Sequence, residues 1–204
     1  MTFSKIWPLN KRCDLCQTEP VMHRTSLCEG CHRDLPWRLD RIQMDQTEIQ
    51  IIFDYAWPVN RLLHLFKYQQ RLDLLPLFRH ALQQQPRLDV DAIVAMPCSA
   101  TRLRQRGYNQ AHLLAQQLSE LWQVPLWPHL QRVKQHTAQQ QLDRAERMSN
   151  LQDAFVVSAA QRPPARLLLL DDVLTTGASL CSAANCLRHA GATQIAGLVI
   201  ASRH

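Results

Sequence analysis

Four consecutive leucines, Leu167–Leu170, run directly into Asp171 and Asp172, and within five residues the chain reaches Thr175-Thr176-Gly177 and a helix-like stretch, GASLCSAANCLRHAG. An unbroken apolar run of this length suits a strand buried on both faces, which requires a parallel sheet covered by helices. The remaining texture agrees. IQIIFDYAW, VDAIVAMP, DAFVVS, RLLLLDD and QIAGLVIA read as strands. VNRLLHLFKYQQRLDLLPLFRHALQQQ, interrupted near Pro76, and NQAHLLAQQLSELW read as amphipathic helices. Strand–helix alternation predicts an α/β domain built on an open parallel sheet with helices on both faces.

Ligands of such sheets bind at the carboxyl edge of the strands. Paired carboxylates after four leucines are expected at that edge, unburied. The turn Thr175, Thr176, Gly177, Ala178, Ser179 would then present backbone N–H groups at a helix start, which suits a phosphate. The hydroxyls alone would be explained as helix capping; two acids fused to the same turn are not. Acids beside an N–H nest suit sugar hydroxyls next to a phosphate. LLLLDDVLTTGAS is similar to the phosphoribosyl pyrophosphate motif of type I phosphoribosyltransferases. The resemblance implies that Asp171 and Asp172 hold the ribose hydroxyls and that Thr175 to Ser179 hold the 5′-phosphate. Ser179 stands where the common pattern has Thr and keeps the hydroxyl.

A second signal lies near the start. Cys13-x-x-Cys16 and Cys28-x-x-Cys31 are two knuckles that point four thiolates at one ion. Zinc fits a closed four-sulfur site best; an iron–sulfur cluster or two disulfides would use the same residues. Such a site stabilises structure and leaves no open position for catalysis. Residues 1–45 are therefore expected to form a small zinc-knuckle module with its own core, and residues 46–204 the α/β domain. Cys98, Cys181 and Cys186 have no partner at ligand spacing.

Charge is uneven. Of a net +6, most sits in residues 101–150, with seven cationic and three acidic side chains. This is either a solvated basic face or a phosphate site. Met96-Pro97-Cys98-Ser99 is expected as a loop at the same sheet edge, followed by Arg102, Arg104 and Arg106. Asn109 is placed to cap the next helix. Arg132, Lys134, Arg144 and Arg147 follow in a polar segment, where Arg144 suits a surface ion pair and Arg147 a ligand contact. Tryptophans beside proline at 36–37, 57–58 and 127–128 suit either core anchors or platforms for stacked bases.

The order of the cysteine quartet, Lys67-Tyr68, RLRQRGYNQ, a Q…R…R…N…AF segment and DDVLTTG resembles the ComF/GntX family over essentially the whole chain. Many members carry a further set of N-terminal cysteines that this sequence lacks. The resemblance implies a phosphoribosyltransferase-like protein of natural competence and the use of external DNA. It further implies a pyrophosphate loop at Pro97, Cys98 and Ser99 with a basic rim at Arg104, Arg106 and Arg147. Expected ligands are phosphoribosyl pyrophosphate or a nucleotide, single-stranded DNA and other DNA-uptake proteins. Magnesium would accompany phosphoribosyl pyrophosphate if the chain is a transferase moving ribose 5-phosphate to an acceptor. No run of 18 apolar residues exists and MTFSKIWPLNKRC lacks a secretory apolar core, so a cytoplasmic protein without membrane insertion is expected.

Overall fold

The computed structural model describes residues 12–22, 25–133, 154–158 and 160–203. Its main sheet has five strands: β1 (Trp37–Met44), β2 (Thr47–Asp54), β3 (Ala92–Ala95), β6 (Arg166–Leu174) and β7 (Gln194–Ser202), in the order β1-β2-β7-β6-β3. Strands β2, β7, β6 and β3 are mutually parallel, and β1 joins the edge antiparallel to β2. A separate antiparallel pair, β4 (Leu130–Arg132) and β5 (Phe155–Val157), lies outside it.

Both faces of the sheet are apolar, with the alternation that a two-sided core needs. Ile52, Ile93, Leu168, Leu170, Leu198 and Ile200 belong to one cluster, and Ile49, Ile51, Val94, Leu167, Leu169 and Val199 to the other. Helices α2 (Val59–Tyr68), α3 (Leu75–Gln83) and α5 (Gln110–Trp122) cover the first face, and α6 (Ala178–His189) covers the second. Each has the expected apolar stripe: Val59, Leu62, Leu63 and Phe66 in α2, and Leu180, Ala183, Ala184 and Leu187 in α6.

Three details differ from the reading of the sequence. The break between α2 and α3 falls at Gln69–Arg71, and Pro76 sits in the first turn of α3, where its missing N–H costs nothing. Strand β6 does not stop at the aspartates but pairs with β7 as far as Leu174. Finally, β1 lies in the main sheet, with Met44 opposite Thr47, so a boundary at residue 45 falls in the turn of a hairpin. Its sequence, WRLDRIQM, gives little apolar signal because the strand is an edge with no fully buried residue. Cys13, Leu27, Cys28 and Leu35 pack in the same cluster as Phe66 and Phe78, so the cysteine region and the helical face share one core.

Candidate functional site

Strand β3 ends opposite Leu170, and beyond that point β6 continues beside β7 alone. The gap opens a cavity of about 470 Å³ at the carboxyl edge of the sheet. Asp171, Asp172, Thr175, Thr176, Gly177 and Ser179 line it from β6 and the following turn. Pro97 and Cys98 line it from the loop after β3, and Arg102 and Arg106 from α4 (Ala100–Arg106). Ser99 is the N-cap of α4, accepting from the Arg102 N–H at 3.3 Å. Arg104 is exposed on α4 and, like Ser99 and Ala178, does not line the cavity. Lys134, Arg144 and Arg147 lie outside the described residues.

The expectation that both acids stay unburied is corrected: Asp172 is only 9% exposed and Asp171 is half-buried. Asp172 shares the parity of Leu168 and Leu170, on the α2 side, and there Lys67 Nζ meets its carboxylate at 2.9 Å. A carboxylate at this depth stands because it is paired. Lys67 was legible only as half of a family motif, although it continues the Val59–Leu63 stripe by a further turn of helix, where a solvated lysine has no place. Asp171 accepts from the Asp172 N–H at 2.8 Å. Burial, reinforced by the neighbouring Asp172 carboxylate, pushes Asp171 up to about 7, against the pull of the Asp172 N–H, Lys67 and Arg102. The site therefore holds a carboxyl poised to lose a proton when a cationic or hydroxyl-rich ligand arrives.

The turn after Leu174 leads directly from β6 into α6. Gly177 is left-handed, with φ +74°, and as the N-cap of α6 it offers no side chain to the first N–H groups of the helix. Thr176 Oγ1 accepts from the Ala178 N–H at 3.4 Å. The terminal methyl of Met44 lies where a Cβ on residue 177 would go.

Each residue of the 106–110 segment has an assignable task. Arg106 donates to Gln110 Oε1 and to the Tyr68 hydroxyl, both at 3.0 Å, and its guanidinium lies 4.6 Å over the Tyr68 ring. Gly107 ends α4 with φ +79°. The Tyr108 hydroxyl donates to the Phe66 carbonyl. Asn109 caps α5 through Ala111 N–H at 3.1 Å and donates to the Met96 carbonyl at 3.0 Å, fixing the loop after β3. Buried Gln110 donates to the Lys67 carbonyl at 3.5 Å. The segment thus ties the end of α2 to the loop opposite Asp171 and Asp172. Tyr55, His64, Tyr68, Arg132 and Arg203 also line the cavity, and no pattern in the sequence singled out Tyr55, His64 or Arg203.

Of the tryptophans beside proline, Trp37 packs on Phe53 with ring centroids 4.5 Å apart and Trp127 is buried, so both are anchors. Trp57 is 70% exposed.

The four N-terminal cysteines converge: their sulfur atoms all lie within 4.8 Å of one another, with Cys16 and Cys28 3.8 Å apart. A tetrahedron with metal–sulfur bonds of about 2.3 Å has edges of about 3.8 Å, so the donor set fits a metal ion. The Leu15 and Cys31 N–H groups point at Cys13 and Cys28 sulfur at 3.4 and 3.5 Å, as in paired knuckles. A backbone hydrogen bond from Glu19, with help from Thr18, holds the Cys16 thiol down at about 6, whereas burial pushes Cys31 up. Asp14, between the first two cysteines, pairs with Arg71 at 3.1 Å and so pins the cluster to the turn between α2 and α3.

No protein-family model matches the chain. Competence protein F of Haemophilus influenzae is 30% identical to it over 216 residues, covering 91% of this chain and 94% of that protein. DNA utilization protein YhgH of Salmonella typhi is 28% identical over 199 residues, covering 90% and 86%. Among solved structures, adenine phosphoribosyltransferase from Saccharomyces cerevisiae matches with a TM-score of 0.41 and 14% identity, over 66% of this chain and 73% of that one. The similarity to competence protein F extends over nine-tenths of the chain, and on it the chain belongs to the ComF family.

Proposed function

We propose that this protein acts in natural competence, in the uptake and use of external DNA, and that it binds a phosphoribosyl ligand at the Asp171–Ser179 turn. The observation that carries this reading is the cavity itself. Two acids suited to ribose hydroxyls and a helix start suited to a phosphate line one opening together with Lys67, Arg102 and Arg106. The names of its relatives support the biological half. Four cysteines at the chain's start would hold a structural zinc. The place of action is the cytoplasm, in keeping with the absence, among the described residues, of a helix long and apolar enough to cross a membrane.

Three measurements test it. Titration with phosphoribosyl pyrophosphate should give binding that Asp172→Asn weakens by about 1–3 kcal/mol, the worth of a hydrogen bond to a charged group; equal affinity in the two proteins refutes the site. A deletion strain should lose transformation by external DNA, and normal transformation refutes the biological role. Single-stranded DNA bound along the basic rim should weaken with salt by a log–log slope of about 0.7 per phosphate contacted.

A second reading, an active transferase, is favoured by the same gathering of cations around paired acids. In it the bond from C1 of the ribose to pyrophosphate breaks, the acceptor bonds to C1, and pyrophosphate leaves. Lys67, Arg102 and Arg106 would stabilise the charge growing on the leaving group, while Asp171 and Asp172 hold the sugar. Magnesium bound with the pyrophosphate would add charge neutralisation there. Release of pyrophosphate in the presence of an acceptor distinguishes this reading from binding alone.

A further inference from the structure

The cavity has two unlike ends, and the strand order says what lies between them. Strand β6 stands between β3 and β7, so a ligand seated on Asp171 and Asp172 has the loop after β3 on one side and the ends of β7 and β2 on the other. The first side is cationic, with Lys67, Arg102 and Arg106. The second presents a pair of residues that the phosphoribosyl reading leaves unused, Tyr55 after β2 and Arg203 after β7.

These two are built as a unit. The Arg203 guanidinium lies 4.4 Å over the Tyr55 ring. The Arg203 N–H donates to the Leu174 carbonyl at 3.1 Å, and the Tyr55 N–H donates to the Ser202 carbonyl at 2.7 Å. Both backbones are therefore fixed to the strand ends that frame the turn at 175–177. The guanidinium makes no hydrogen bond or ion pair with a described residue, so its donors are available to a ligand. A planar guanidinium backed by an aromatic ring offers a fork of N–H donors, and such a fork pairs bidentately with two adjacent acceptors.

We propose that Tyr55 and Arg203 form a base-reading subsite, and that it selects a 6-oxopurine nucleotide over a 6-aminopurine one. Guanine and hypoxanthine present O6 and N7 as adjacent acceptors on one edge, the partners that a guanidinium pairs with best. Adenine places an amino donor beside N7 and opposes the fork. The inference rests on the proposal that a phosphoribosyl group binds at Asp171–Ser179, and it adds that the base turns toward Tyr55 and Arg203, away from the cationic loop after β3.

Calorimetric titration of the full-length, metal-loaded chain with GMP, AMP and ribose 5-phosphate tests it. GMP should bind about tenfold or more tightly than AMP. Arg203→Ala should bring GMP to the affinity of AMP while leaving ribose 5-phosphate unchanged. Arg203 is exposed at the end of a strand, so the variant keeps its fold, and unchanged ribose 5-phosphate affinity verifies this. Equal binding of GMP and AMP by the parent protein overturns the subsite, as does an Arg203→Ala variant weakened equally for all three ligands. If ribose 5-phosphate binds and Asp172→Asn weakens it, the phosphoribosyl reading survives that failure. If none of the three binds, the phosphoribosyl reading falls and takes the subsite with it.

Discussion

The cysteine cluster and the cavity at the carboxyl edge of the sheet are assembled in opposite ways. All four sulfur atoms come from residues 13–31 and reach one point through two short turns. The cavity draws on segments from Tyr55 to Arg203, brought together by the strand order β2-β7-β6-β3. The cluster is local in its chemistry, yet it is not local in its packing: Cys13 and Cys28 lie in the core that holds Phe66 and Phe78, and Asp14 is paired to Arg71. A site written in a short stretch of sequence can thus support a core made elsewhere.

The largest expected effect breaks or upholds that coupling. A structural zinc in a four-cysteine site contributes on the order of 10 kcal/mol, comparable with the roughly 5–15 kcal/mol that holds a whole domain together. Two independent cores would let Cys13→Ser loosen residues 1–45 and leave the α/β domain folded. A shared core makes one transition of the two. We expect metal analysis to give one zinc per chain, and Cys13→Ser or a strong chelator to lower a single thermal transition by more than about 10 °C. Two separate transitions, the upper one unmoved, would show that the regions are independent after all.

Legibility follows the same division. Leucines 167–170, the two acids and the Thr-Thr-Gly turn were readable because strand, edge and helix start follow one another in the chain. The cysteine knuckles were readable for the same reason. Lys67 was not readable as the partner of Asp172, since about a hundred residues separate them and only the crossover from β2 to β3 lays α2 above β6. Tyr55 and Arg203 left no pattern at all; each is the first residue past a strand, and only the order of the strands makes them neighbours. Strand β1 escaped because an edge strand with half its side chains in water lacks the apolar alternation that marks β2 or β7.

A middle-sized effect concerns Asp171. Its carboxyl is held well above the ordinary range, up to about 7, first by burial and then by the Asp172 carboxylate. The folded protein therefore binds a proton that the unfolded chain gives up near pH 4. Between about pH 4 and 7 this group makes stability fall as pH rises, and the penalty is complete above 7. Asp171→Asn mimics the neutral acid. Its melting temperature should match the parent's near pH 4 and exceed it by a few degrees at pH 7.5. Ligand binding below pH 7 should release a proton in the parent and not in the variant, which calorimetry in buffers of different ionisation enthalpy reads directly. A pH-independent gap between the two melting temperatures would place the cause in packing instead.

The smallest effect sharpens the comparison within one short helix. Arg104 and Arg106 are equally prominent in the sequence RLRQRGYNQ, two residues apart, and both were expected on the basic rim. On a helix, two residues of separation turn side chains about 200° apart, so both cannot face one cavity. Arg106 lines it and is held over Tyr68 by two hydrogen bonds and a ring contact, whereas Arg104 is exposed and does not line it. Arg106→Ala should weaken phosphoribosyl pyrophosphate by about tenfold, as expected for a charged hydrogen bond, and Arg104→Ala should leave it within about twofold. Single-stranded DNA need not obey the same rule, because a strand lying across the outer surface of the helix can touch Arg104 without entering the cavity. Its salt slope should then fall by about 0.7 in Arg104→Ala, the signature of one lost phosphate contact. Arg104→Ala with both the small-ligand affinity and the salt slope unchanged would assign that arginine to solvation alone. The same substitution weakening phosphoribosyl pyrophosphate as much as Arg106→Ala would mean that the cavity extends around the helix.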